Sequence, residues 1–172
     1  MNHKAHRENF WMTVWLHRGI LATLLFPLSL LFRLIITFRR IAYLKGWIKS
    51  TKIPVPVIVV GNIFIGGTGK TPFTIWLIQC LRRAGFTPGV ISRGYGSSNN
   101  IPQHVDPKTS LATEIGDEPL LIASHTQCPL VVCRQRVLAA QHLLKKYPDV
   151  DIIVSDDGMQ HYALARDIEI LI

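Results

Sequence analysis

Acidic residues are missing from most of the first half of this sequence: none occurs between Glu8 and Asp106. Residues 1–105 hold thirteen Lys/Arg against one acid, a net +12, whereas residues 106–172 hold six against ten, a net −4. A half so one-signed needs an anionic partner, and nucleic acid, anionic lipid and an acidic substrate are the classes left open. Cysteine is scarce and unpaired in pattern: Cys80, Cys128 and Cys133 are odd in number and lack C-x-x-C spacing. That excludes a disulfide framework and a zinc ribbon, and it suits a reducing compartment. Charge is also thin, at 17% of residues against 48% hydrophobic, with a mean hydropathy of +0.25. Such a balance is greasier than an ordinary soluble domain and points to membrane contact or a missing partner surface.

A long enough apolar run is absent too. Gly19 to Phe32 is free of charge for 14 residues and is closed by Arg33. At about 1.5 Å per residue it covers roughly 21 Å, short of a hydrocarbon core of about 30 Å. Extension to Phe38 reaches a spanning length only by burying Arg33. Ser29, Arg33, Thr37 and Arg40 recur at helical spacing, with Leu24, Leu25, Leu28, Leu31, Phe32 and Ile35 on the other side. The pattern predicts a basic amphipathic helix lying at a membrane surface, with Trp11, Trp15 and Trp47 as interfacial aromatics. Arg39, Arg40, Lys45, Lys49 and Lys52 supply a polybasic run for anionic head groups. The segment after Phe32 is a poor match to a signal-peptide cleavage site. A spanning helix, which would have to absorb Arg33 and Pro27, and a core helix of a soluble fold are the other readings. Basic residues interleaved with leucine rather than set in a recognisable module argue against nucleic acid.

After Pro54 the periodicity changes. Val55 to Val60 is a β-branched run with the character of a parallel strand buried on both faces. Gly66-Gly67-Thr68-Gly69-Lys70-Thr71 follows, and Pro72 opens a helix that runs through Trp76, Leu77 and Leu81 to Gly85. Strand, glycine loop, Lys-Thr and helix form the context of a P-loop: backbone N–H groups curl around phosphate and the helix N-terminus faces it. Phe64, Ile65, Gly66, Gly67, Thr68, Gly69, Lys70 and Thr71 are therefore the candidate nucleotide cradle. Lys70 would reach the β- and γ-phosphates of ATP, and the Thr71 hydroxyl would hold Mg²⁺. Phe64 stands where the standard pattern has its first glycine, and Ile65 where deviant P-loop ATPases carry a signature lysine.

Asp151 to Asp157 is an apolar strand ending in paired carboxylates and Gly158. Asp156 and Asp157 are thus candidates for the metal or its water, the alternative being a solvated turn. Arg93, at the end of the strand Thr87–Ile91, could meet phosphate. Asp117 and Glu118 sit at a predicted helix start, where Glu118 could simply complement the helix dipole. In doubly wound sheets ligands gather at the carboxyl ends of strands, so these loops could share one site. Residues 129–133 and 167–172 read as further strands, and 134–147 as a helix with Leu138, Leu143 and Leu144 inward. His125 and His142 read as surface or packing residues, and His161, just after the acidic loop, as a better candidate. Residues 1–50 thus form a membrane-associating helical segment. Residues 51–172 form an α/β P-loop-like domain with a mostly parallel sheet flanked by helices.

V-P-V-I-V-V-G-N, G-G-T-G-K-T-P, I-S-R-G-Y-G, G-D-E-P, D-D-G-M-Q-H and the final R-D-I-E-I, in this order, resemble the tetraacyldisaccharide 4′-kinase family. The resemblance covers essentially the whole chain, and that family's P-loop also lacks the first glycine. It implies ATP on residues 64–71, with Asp117 as the base for the sugar 4′-hydroxyl. It also places Asp156, Asp157 and Glu118 in the magnesium region, and Gln160 and His161 in the acidic-loop motif without separate roles. The implied substrate is the lipid A precursor, and the implied location is the cytoplasmic face of the bacterial inner membrane. No nucleic acid and no obligate protein partner are called for. Family members are about twice this length, and the histidine paired with the catalytic aspartate lies in their second half. The chain accordingly reads as an N-terminal part with an exposed sheet edge after Ile172. An ATPase switch and a non-catalytic nucleotide-binding remnant are the competing functions.

Overall fold

The computed structural model describes residues 20–62, 69–94 and 101–172. The chain divides into two compact units, residues 1–48 and residues 49–172.

In the first unit, helix α1 runs over Ile20–Leu44 with Pro27 inside it. Within this helix the Ser29 hydroxyl donates to the Phe26 carbonyl at 2.7 Å. The helix stops at Gly46, whose φ of +72° suits only glycine well. Ile48 N–H then bonds back to the Ala42 carbonyl, and the Trp47 ring comes to lie 6.1 Å from that of Phe38. Leu24, Phe26, Leu28, Phe32, Leu34 and Phe38 are all exposed. Phe26, two helical turns before Arg33, lies on the same face, so the polar stripe of α1 begins only at Ser29. Arg33 interrupts the apolar run, and among the described residues no helix is long and apolar enough to cross a membrane.

The second unit is built on a six-stranded sheet. Its strands are β1 (Val57–Gly61), β2 (Pro88–Ser92), β3 (Gln103–His104), β4 (Leu130–Val132), β5 (Ile152–Asp156) and β6 (Ile168–Leu171), in the order β3-β4-β2-β5-β1-β6. All neighbours are parallel except β3, which pairs antiparallel to β4. The described helices here are α2 (Lys70–Arg83), α3 (Ala112–Ile115), α4 (Asp117–Thr126) and α5 (Arg136–Lys146). Side chains alternate along each strand, so one sheet yields two cores. Val57, Val59, Ile91 and Ile153 pack with α5, and Val60, Val90, Val132 and Val154 pack with Ile78 of α2 and Ile122 of α4.

Several local details differ from the sequence pattern. The inward residues of α5 are Ala139, Ala140 and Leu143, whereas Leu138 is exposed. Leu143 brings α5 close on β2: a Cβ at Gly89 would stand 2.7 Å from its methyl. The short edge strand β3 and the one-turn helix α3 lack any periodic signal long enough to announce them. Helix α2 ends in a Schellman motif, with Phe86 N–H on the Leu81 carbonyl and Gly85 N–H on that of Arg82, both at 3.0 Å. Strand β6 lies at the sheet edge with Ile168 and Leu171 about half exposed.

Two aspartates fasten the amino ends of the central strands. Asp151, before β5, accepts from Thr87 N–H at 2.8 Å and returns its own N–H to the Thr87 carbonyl. Asp167, before β6, does the same at Val57, with its carboxylate 2.9 Å from Val57 N. Each sets the register of a parallel pair at the end away from the carboxyl-end loops. Asp167→Ala should lower stability by about 1.5–3 kcal/mol, the range for a hydrogen bond to a charged group. Asp167→Asn, which keeps an acceptor, should recover most of it, and urea midpoints at constant slope would measure both.

Candidate functional site

The parallel register places three strand ends side by side: Val60 of β1 opposite Asp156 of β5, and Ile91 of β2 opposite Ser155. The chain leaving β5 turns at once. Asp157 has a φ of +53°, a left-handed conformation that aspartate tolerates better than most residues, and its N–H bonds to the Val60 carbonyl at 3.0 Å. Gly158 then folds over the sheet edge so closely that any Cβ would strike the Ser155 hydroxyl and sit 3.1 Å from Val59. Met159 lies across the end of β1, in the space that a side chain at Gly61 would need. Gly61 is therefore fixed by close approach rather than by a turn.

On the far side of β1, Gly69, with a φ of +76°, precedes the first residue of α2. Lys70 Nζ lies 3.2 Å from Asp157 Oδ1, and the lysine is 12% exposed against 54% for the aspartate. This ion pair joins the start of α2 to the turn after β5. Thr71 is buried in the same first turn. Residues 64–68, the rest of the expected cradle, lie outside the described residues.

Asp156 is 1% exposed. The Ser92 hydroxyl donates to its Oδ2 at 3.4 Å, and its Oδ1 has no protein partner. Burial lifts its carboxyl to about 6 from an ordinary 3.8, Glu118 and Asp157 push the same way, and Lys70 and Arg136 oppose them. A cleft of about 550 Å³ opens over it, walled by Arg93 and Gly94 after β2, by Asp117, Glu118 and Pro119 at the head of α4, and by Asp156 and Asp157. Asp117 and Glu118 are exposed in the first turn of α4, where acidic side chains complement the helix dipole. Arg93 is exposed as well. Lys70, Asp117, Glu118, Asp156, Asp157 and Arg93 thus meet at one end of the sheet.

Gln160 and His161 do not join this cleft. Gln160 is exposed, and His161 lines a second cavity of about 500 Å³ beside the start of α5, with Arg134, Gln135 and Leu164. Burial, with Arg136 and Arg93 adding to it, lowers His161 to about 4, so its ring is neutral at pH 7. Sequence reasoning missed Arg136. It is 2% exposed, and its guanidinium donates to the carbonyls of Cys133 at 2.9 Å, Asp156 at 3.2 Å and Asp157 at 3.4 Å. Its position just after strand β4, on the carboxyl side of the sheet, was the available signal.

Hard oxygen donors suit magnesium, which commonly takes one or two carboxylates together with substrate phosphates and water. Thr71, the unpartnered Asp156 Oδ1 and exposed Asp157 fit that description. Among the described residues no three His, Cys, Asp or Glu side chains converge into a ready-made metal site.

The comparisons with known proteins agree on one group. The family described as tetraacyldisaccharide-1-P 4′-kinase matches residues 21–172. A tetraacyldisaccharide 4′-kinase of Herminiimonas arsenicoxydans is 59% identical over 165 residues, which is 96% of this chain and 46% of the relative. That of Janthinobacterium sp. (strain Marseille) is 55% identical, over 98% of this chain and 48% of the relative. A crystal structure of LpxK from Aquifex aeolicus in complex with ATP aligns with a TM-score of 0.78 at 36% identity, covering 88% of this chain and 49% of that one. The chain spans about half the length of the curated relatives it matches.

The raised Asp156 carboxyl makes a pH prediction. As pH rises, the unfolded chain ionises first, near 3.8, and the native chain only near 6. The contribution of this group to stability is therefore greatest below about pH 4, falls between about 4 and 6, and stays low above. Asp156→Asn should stabilise the nucleotide-free protein at pH 7 by roughly 2–3 kcal/mol, at about 1.4 kcal/mol per unit, with the gain vanishing near pH 4. His161, whose native value is depressed, contributes in the opposite sense over an overlapping window. The comparison must therefore be of mutant with wild type by chemical denaturation at each pH, not of the wild-type profile alone.

Proposed function

The chain belongs to the tetraacyldisaccharide-1-P 4′-kinase family, and from that premise we propose that it forms the ATP-handling part of a lipid kinase. The reaction is transfer of the γ-phosphate of ATP to the 4′-hydroxyl of tetraacyldisaccharide 1-phosphate in lipid A biosynthesis. The observation that carries this reading is Asp157, which holds Lys70 in an ion pair and lines the same cleft as Asp117. A phosphoryl donor and a hydroxyl acceptor need those two kinds of group to face each other across one space.

Residues 64–71 would wrap the phosphates. Lys70, held in place by Asp157, would offset charge on the β- and γ-phosphates, and Arg93 would approach from the end of β2. Thr71, Asp156 and Asp157 would hold magnesium, with Glu118 close enough to act on a bound water. When bound, the metal supplies charge neutralisation on the phosphate oxygens. Asp117 would accept a hydrogen bond from the sugar 4′-hydroxyl and take its proton. A carboxylate is a modest base, so much of its effect would come from orienting the attacking oxygen.

The first unit suits a membrane-borne substrate. Exposed leucine and phenylalanine side chains on α1, interleaved with Arg33, Arg39 and Arg40, favour a peripheral or monotopic seat on anionic lipid. For this pathway that surface is the cytoplasmic face of the inner membrane.

The test is incubation with γ-labelled ATP, magnesium and tetraacyldisaccharide 1-phosphate. Label in the lipid supports the transfer, and labelled free phosphate alone would replace it with an ATPase. Bound ATP with neither product would limit the chain to nucleotide binding without the length its relatives possess. Where the lipid is labelled, Asp117→Asn should cut the rate by about 10²–10⁴-fold with little change in ATP affinity. An unchanged rate would remove Asp117 from the chemistry.

A further inference from the structure

Arg136 is the most deeply buried cation among the described residues, and neither its burial nor its bonding is explained by packing alone. It opens α5, yet its guanidinium reaches sideways beneath the carboxyl end of the sheet. NH1 takes the Cys133 carbonyl at the end of β4, and NH2 is shared between the carbonyls of Asp156 and Asp157. These bonds go to main-chain oxygens, not to carboxylates. Taking a guanidinium out of water costs several kcal/mol unless it is well paired. Here burial is strong enough to bring it down to about 10, with Asp156 and Asp157 partly restoring it.

We propose that Arg136 is a positioning residue that clamps the backbone of the Asp156-Asp157 turn and so aims both carboxylates into the cleft. The inference rests on the reading of that cleft as a Mg²⁺·ATP site. Three features support it. Asp157 sits at a positive φ, a conformation that persists only where the surroundings impose it. The two carbonyls bonded by NH2 are those of the kinked residue, Asp157, and of Asp156 just before it. Because the clamp uses carbonyls, Asp156 Oδ1 and the Asp157 carboxylate are not spent on the arginine. An arginine suits this role better than a lysine, since its planar fork can address several fixed acceptors at once. The cross-link also ties β4 to β5 across the intervening strand β2, through the Cys133 and Asp156 carbonyls.

The test is calorimetric binding of ATP to the full chain in detergent, with Mg²⁺ and separately in excess EDTA. The variants are Arg136→Met and Arg136→Lys, with folding checked by circular dichroism. Loss of an outer-shell support should weaken Mg²⁺·ATP binding by about 10–100-fold in Arg136→Met. Metal-free ATP, held by Lys70 and the glycine loop, should change by no more than about twofold. Arg136→Lys keeps the charge without the fork and should still lose several-fold with metal; should Arg136→Met fail to fold, this variant decides. Equal losses with and without metal, or a lysine variant equal to wild type, would overturn the clamp in favour of general stability or simple charge. A wild-type chain that binds ATP in neither condition would take away the nucleotide-site reading and this inference with it.

Discussion

The register between β1 and β5 is the constraint from which the rest follows. With Val60 paired to Asp156, the carboxyl end of β1 and the turn after β5 lie side by side, and Lys70 at the start of α2 meets Asp157 at 3.2 Å. A shift of one residue would turn every side chain of β5 to the opposite face, exchanging Ile153 and Val154 between the two cores. Such a shift is opposed from both ends. Asp151 and Asp167 grip Thr87 and Val57 at the amino ends, and Arg136 grips the carbonyls of Asp156 and Asp157 at the carboxyl end. Burial of the uniformly apolar central strands supplies the driving force, and these polar contacts select one alignment from the several that burial would accept.

Charge is distributed along the chain in the same spirit. The acids that the first 105 residues lack are gathered after them, chiefly at the strand starts and in the cleft. Asp151 and Asp167 serve the fold, whereas Asp117, Glu118, Asp156 and Asp157 line the cleft. One carboxylate, Asp156, is buried with an oxygen left without a partner, which destabilises the nucleotide-free protein. Functional sites commonly carry this kind of local cost, and the surrounding core has to offset it.

Much of this architecture was legible in the sequence. The β-branched runs at 55–60 and 152–154, the Lys-Thr-Pro helix start and the Gly85 stop are local signals, and each element formed within a residue or two of its expected bounds. The rest depends on contacts that local signals do not encode. Leu138 was expected inside, but α5 turns Ala139, Ala140 and Leu143 toward the sheet instead. His161 follows the acidic loop in sequence, yet the tight fold of Gly158 over Ser155 carries it to the other cavity. Arg136 resembled an ordinary basic residue at a helix start until the sheet order brought β4 and β5 within its reach.

The packing of Met159 over Gly61 reaches into the history open to this fold. A side chain can appear at position 61 only after position 159 has given up its bulk, because the two would otherwise occupy the same volume. A smaller residue at 159 leaves a void over β1 while position 61 remains glycine. Either order passes through a less favourable intermediate, so the pair should drift together or not at all. Strand β1 and the turn that bears the acids are thereby bound to a common evolutionary fate, although helices α2 to α5 and strands β2 to β5 lie between them along the chain.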